Sequence, residues 1–194
     1  METYLQAARQ SREQNITLFE EPLQRVVCVM QADEFVSTWV ANKSIYRTRM
    51  AIADGGELIV IAPGLERFGE QPEVDAIIRK YGYVGTPKVM EYYRKIPELQ
   101  DLAHATAHLI HGSTEGRFSV TYAPGHMTRG EIEGVGFAYA DLGETLAKYP
   151  PDRMREGWNE LPGGERVFFI HTPSAGLWST RKRLFDRPSG CGDA

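Results

Sequence analysis

The sequence predicts an α/β fold, a Rossmann-like three-layer sandwich on a mainly parallel sheet. Three observations predict it. Short apolar runs recur at Val26-Val27-Cys28-Val29-Met30, Leu58-Ile59-Val60-Ile61, 118–122 and 166–170. Runs of that length, rich in β-branched residues, suit strands buried on both faces. Segments with helix caps and helical apolar spacing stand between them, and strands that alternate with helices need crossover connections covering both faces of the sheet.

The elements follow in order. Residues 1–15 are polar and helix-compatible, with a thin apolar stripe of Tyr4, Leu5 and Ala8. Residues 1–23 therefore read as an N-terminal helix or connector, and 16–19 as a short strand or an extended lead-in. A single α/β domain spans 24–187, and 188–194 form a tail. After the first buried strand, Asp33 stands at an N-cap position and Glu34 in a first turn. Phe35, Trp39, Ile45 and Ala51-Ile52 give the next segment an apolar stripe. Asp54-Gly55-Gly56 is expected to close that helix. The second strand stops at Pro63-Gly64.

Pro72 opens a helix over 72–81 that ends at Gly82. Thr86-Pro87 repeats the start signal, with Thr86 as cap. Pro97 opens a helix expected to run to 110 and to close at His111-Gly112. Residues 118–122 alternate as a strand, and 123–126 are its exit. Thr128 and Glu131 form a capping box. Residues 134–140 read as a strand, and Asp141 caps a helix over 142–149. Pro150-Pro151 marks a turn. Residues 166–170 are the last clear strand, leading through His171 to Trp178 and the basic Arg181-Lys182-Arg183. In a parallel sheet, ligands gather beyond the carboxyl ends of the strands. Loops 31–33, 63–64, 124–126 and 171–174 are therefore expected to converge on one functional rim.

A chain of 194 residues, 42% hydrophobic and 25% charged, has ordinary globular composition and can bury a sizeable core. Net charge −4 and a pI of about 5.8 argue against a partner held through phosphates, so no nucleic acid is expected. No apolar run is long enough to span a bilayer, so no membrane partner is expected. The two cysteines, Cys28 in a buried strand and Cys191 in the Gly-rich tail, form no disulfide framework, which fits a reducing cytoplasm.

Candidate chemistry begins with histidine. His104, His108 and His111 share one helix face at i, i+4, i+7, a spacing that can hold zinc or nickel. No acidic residue stands between the first two, however, so packing and capping compete with the metal reading. His126 and His171 each follow a strand, where an acid, a base or a substrate donor is often placed. Lys43 lies one turn after Trp39 on the same helix face, and Trp178 follows a strand exit where an indole can floor a small pocket. No Walker pattern, Gly-x-Ser-x-Gly elbow or CxxC is present, and Gly134-Val135-Gly136 is poorly placed for a dinucleotide fingerprint.

Three blocks carry a resemblance: ANKSIYRTRMAIADGGELIVIAPG, FGEQPEVDAIIRKYGYVGTP and AHLIHGSTEGRFSVTYAPGHMTRGEIEGVGFAYADL. Together they resemble the C-terminal half of the nickel-dependent lactate racemase family, and more closely its relatives often labelled D-mannonate oxidoreductases. The resemblance implies a substrate-binding domain of a 2-hydroxyacid racemase or epimerase, an isomerase. Its active site would be completed by an N-terminal catalytic domain that holds a nickel-pincer nucleotide. In this chain it implies substrate-binding roles for Lys43 and Trp178, with His126 and His171 as further rim candidates. The family's Gln three residues before the Lys is Val40 here, which points to a hydroxy acid other than lactate. The alternatives are a sugar-acid oxidoreductase domain of the D-mannonate type, or a small-molecule-binding α/β domain without catalysis.

Overall fold

The structure, a computed structural model, describes residues 2–185. Its elements are α1 (Glu2–Asn15), β1 (Thr17–Phe19), β2 (Leu23–Val29), α2 (Thr38–Ala41), α3 (Lys43–Thr48) and β3 (Ile52–Ala62). There follow α4 (Pro72–Tyr81), α5 (Thr86–Lys95), α6 (Pro97–Asp101), α7 (Ala103–His111) and β4 (Ser119–Pro124). The last are α8 (Arg129–Gly134), β5 (Ala138–Tyr139), α9 (Leu142–Lys148), β6 (Gly157–Glu160), β7 (Arg166–Ile170), β8 (Trp178–Thr180) and α10 (Arg181–Phe185). The tail from 188, with Cys191, lies outside the described residues.

Six strands form the main sheet in the order β5-β4-β3-β2-β7-β6. All neighbours are parallel except β6 and β7, which form an antiparallel edge. The expected α/β architecture is therefore present. The period of two along each strand explains how both faces are buried. Val26 and Cys28, Leu58 and Val60, Val120 and Tyr122, and Phe168 and Ile170 enter the larger core, with side chains from α3, α4, α5 and α7. Val27, Ile59, Ile61, Val167 and Phe169 face the other way, onto Tyr149, Met154 and the α9 leucines Leu142 and Leu146. Cys28 is fully buried in the first core, which pushes its thiol well above the ordinary range and leaves it inert.

Local signals hold where the partner lies within one turn. Thr128 and Glu131 make the reciprocal capping box of α8. The Asp141 carboxylate accepts from the Glu144 N–H at the start of α9, and Pro72 lies in the first turn of α4.

Several expectations are corrected. Asp33 caps no helix: residues 32–34 form a turn, and the helix begins after Ser37. The segment is two short helices that break at Asn42, whose buried side chain is held by Tyr122. Asp54-Gly55-Gly56 ends no helix either; it lies inside β3. Between Leu23↔Ile52 and Arg25↔Glu57, two steps of β2 match five of β3, so the Gly-Gly pair lies in an irregularity of the pairing that gives β3 three extra residues. Gly55 has φ of 78° there and donates its N–H to the Arg117 carbonyl.

The helix expected over 97–110 breaks at Leu102, with φ −105° and ψ 52°. Thr86 is the first residue of α5, not its cap; Gly85 precedes it, and the Glu115 carboxylate accepts from the Thr86 N–H and hydroxyl. The strand expected over 134–140 shrinks to Ala138–Tyr139. Gly134 still belongs to α8, and the Val135 carbonyl is turned inward to accept from the Tyr83 N–H. Residues 16–19 resolve as a strand, since β1 pairs in parallel with β8 in a separate two-stranded sheet.

The rim forms as the parallel register requires. The ends of β2, β3, β4 and β7 lie at one edge of the sheet. The Met30 N–H donates to the Ile61 carbonyl at 2.9 Å, Gly125 N–H to Ala62 at 3.0 Å and His126 N–H to Leu65 at 3.1 Å. Loops 31–33, 63–64 and 124–126 thus lock together, and 171–174 follows β7 beside β2.

Candidate functional site

The site is best built from two helix stripes. On α2 and α3, Trp39, Lys43 and Tyr46 recur at i, i+4, i+7; on α7, His104, His108 and His111 do the same. The stripes meet almost rung by rung. The Trp39 indole stacks on His108 with centroids 4.5 Å apart and meets His104 edge-on at 6.1 Å. Tyr46 lies 5.8 Å from His111. Lys43 occupies the middle of its stripe, and its ammonium reaches back to 5.7 Å from the ring of Phe35, in the loop that leaves β2. Between the stripes runs a groove of about 460 Å³ lined by Trp39, Val40, Lys43, Tyr46 and the three histidines.

Trp39 and His104 also wall a smaller hollow of about 150 Å³ with Glu70, Gln71 and Val74. There the Ser37 hydroxyl, with Arg67, holds the Glu70 carboxyl below the usual range, as a carboxylate paired with Arg67. Lys43 makes no ion pair or hydrogen bond among the described residues. An unneutralised cation in a groove of this size suits a small anion. A larger hollow of about 510 Å³ lies by α9, but Arg25, Glu57, Glu165 and Lys148 neutralise one another there.

Below the groove lies a buried polar chain. The Thr38 hydroxyl donates to the Phe68 carbonyl at 2.9 Å, and Thr38 Oγ1 lies 2.9 Å from the Tyr83 hydroxyl. That hydroxyl lies 2.9 Å from His108 Nε2, and Tyr122 donates to Asn42 Oδ1 at 2.8 Å. Burial raises both phenols far above their ordinary range, so both remain donors. Burial, with a smaller contribution from His111, lowers His108 to about 4, so the ring is neutral at pH 7.

This has a measurable consequence. A histidine held neutral when folded costs stability once the unfolded chain starts to bind the proton. Stability is therefore complete above about pH 6.5 and falls between 6.5 and 4, by about 3 kcal/mol in all. The urea midpoint of the wild type should drop on going from pH 7.5 to 4.5. His108→Gln, which keeps a donor for Tyr83, should flatten that drop; an equal drop in both proteins would rule His108 out as its cause.

The remaining sequence candidates lie elsewhere. His126 is exposed on the rim beyond β4. His171 is held between Glu156 and the Pro151 carbonyl, each at 3.1 Å. Trp178 is 7% exposed, packs in the larger core and covers Gly176, whose carbonyl accepts from Arg47 at 2.9 Å. None of these three lines the Lys43 groove. The three histidines do share it, but among the described residues no group of three or more His, Cys, Asp or Glu could hold a metal ion. Thr38, Asn42, Tyr46 and Tyr83 were not legible as site residues. The one available signal was that 39, 43, 46 and 104, 108, 111 have matching intervals, so that each set forms one helix stripe.

No family model and no curated protein matches the chain. Several solved structures are similar to it, among them these two. A Thermotoga maritima protein is 23% identical with a TM-score of 0.67, over 92% of this chain and 42% of that one. The lactate racemase apoprotein from Thermoanaerobacterium thermosaccharolyticum is 14% identical with a TM-score of 0.55, over 92% of this chain and 40% of that one. The likeness is one of fold, and the chain spans about two fifths of the length of each of these two structures. No helix among the described residues is long and apolar enough to cross a membrane.

Proposed function

We propose that this chain is the substrate-binding domain of a 2-hydroxyacid racemase or epimerase, completing an active site with a further domain of a longer enzyme. The observation that carries the reading is the match of 92% of the chain to a part of the lactate racemase apoprotein, with Lys43 open on a groove beside the loop that leaves β2. The carboxylate of a 2-hydroxyacid needs a cation, and the compact ammonium of Lys43 provides one. Trp39 and Tyr46 flank it with apolar surface on the groove wall. Rim loops 31–33, 63–64 and 124–126 would form this domain's side of the cleft.

The nickel-pincer nucleotide that the family resemblance implies does not fit this chain's own donors. His108 Nε2 is taken by Tyr83, and His104, His108 and His111 form no metal-holding group. In this reading the cofactor is held by the other domain, and this chain's residues bind and orient the substrate. The test is chiral chromatography of a 2-hydroxyacid. Purified 1–194 should leave an enantiomer unchanged, and the nickel-loaded longer enzyme should racemise it. Racemisation by 1–194 alone, or by the longer enzyme with this domain deleted, would overturn the assignment.

A further inference from the structure

We propose that His108 is the hydroxyl-recognising residue of the groove. Its Nδ1 lone pair would accept the proton of a ligand hydroxyl that neighbours the carboxylate held by Lys43. The inference rests on the reading of Lys43 given above. It adds a specificity for hydroxy acids over their deoxy counterparts, and a defined tautomer that provides it.

The tautomer follows from counting protons along the buried chain. The Phe68 carbonyl can only accept, so the Thr38 hydroxyl proton points to it. Thr38 Oγ1 therefore accepts from the Tyr83 hydroxyl, and the Tyr83 oxygen is left to accept from His108 Nε2–H. The reverse order would set the Thr38 and Tyr83 oxygens 2.9 Å apart with no proton between them. The Asn42 amide nitrogen lies 3.5 Å from the same Nε2, too far to compete with a 2.9 Å partner, and its amide is already oriented by Tyr122. The neutral ring thus carries its proton on Nε2 and an open lone pair on Nδ1.

Nδ1 has no hydrogen-bond partner among the described residues, yet it is not one of the fully buried atoms that lack one. His108 lines the groove, and Nδ1 is its ring nitrogen left without a protein partner among the described residues. Trp39 stacked at 4.5 Å fixes the plane of the ring. A neutral acceptor with a fixed lone pair pairs well with a hydroxyl. It gains nothing from a hydrogen or a methyl group in the same place and would be left unsatisfied beside one.

The experiment uses 1–194 and two probes, lactate and propionate, which share a carboxylate and differ by the hydroxyl. A long-range ¹H–¹⁵N spectrum of the free protein at pH 7.5 should show His108 protonated on Nε2. NMR titration should show lactate bound about 5- to 10-fold more tightly than propionate. His108→Leu should bring that ratio to about one. Tyr83→Phe removes the acceptor that fixes the tautomer and should lower the ratio with the fold intact, which covers the case of a poorly folded His108→Leu. Lys43→Ala should weaken both probes alike. A proton on Nδ1, or an unchanged ratio in either variant, overturns the proposal while leaving Lys43 as the carboxylate site. Binding of neither probe overturns the Lys43 reading, and this proposal with it.

Discussion

Lys43→Ala is expected to cut the turnover of the proposed complete enzyme by about 100-fold or more, while shifting folding stability by no more than about 0.5 kcal/mol. The asymmetry comes from where the side chain sits. Its ammonium lies 5.7 Å from the Phe35 ring and carries no structural ion pair among the described residues, so folding loses little when it goes. A bound carboxylate must be held while charge shifts at the adjacent carbon. A positioned cation in a water-excluded cleft contributes several kcal/mol there, against about 0–1 kcal/mol for an exposed ion pair. Lys43→Arg should recover only part of the rate, because a planar fork between Trp39 and Tyr46 does not reproduce a compact point charge. Initial rates by chiral chromatography, with urea midpoints for both variants, check this. A wild-type rate in Lys43→Ala would remove Lys43 from the site, and a parallel fall in stability would assign it to packing.

Gly125→Ala is expected to destabilise the domain by about 3 kcal/mol, lowering the melting temperature by about 10 °C. At this point the β4 exit crosses the β3 exit with backbone against backbone. A Cβ on Gly125 would be driven into the Pro63 carbonyl oxygen, well inside the 3.0 Å that real contacts respect. Gly64 meets the Ala32 carbonyl in the same way, so the rim is a stack of three loops with no side chain between them. The obstruction is backbone that itself receives the Gly125 N–H at Ala62, and no rotamer change relieves it. Gly130→Ala is the control: nothing lies within 4 Å of its Cβ position, and in α8 alanine is the better helix former. It should leave the melting temperature unchanged or raise it. Equal effects of the two substitutions in differential scanning calorimetry would show that the loops can part at little cost.

The sequence by itself determined the central parallel strands and the presence of helices between them. Val26-Val27-Cys28-Val29 and Leu58-Ile59-Val60-Ile61 are strands because runs of that kind must be buried on both faces, and the period of two then assigns each residue to a core. Caps with partners within one turn were equally legible, as at Thr128 with Glu131 and at Asp141. The likeness to a part of lactate racemase was also legible in the blocks around Lys43 and Gly55-Gly56, and the fold bears it out.

Tertiary structure alone decided everything that depends on a distant partner. Asn42 breaks one helix because Tyr122, 80 residues away, holds its side chain. Gly55-Gly56 looks like a helix end, but it sits where the register of β2 against β3 shifts. Glu115 caps α5 from 29 residues away, and the tautomer of His108 is fixed by Tyr83, Thr38 and the Phe68 carbonyl. The physical reason is the range of the forces recorded in sequence. Apolar periodicity says which face of an element leaves water, a short-range property of neighbours. Each buried donor and acceptor must instead find a specific partner, and only the packed chain says which residue that is.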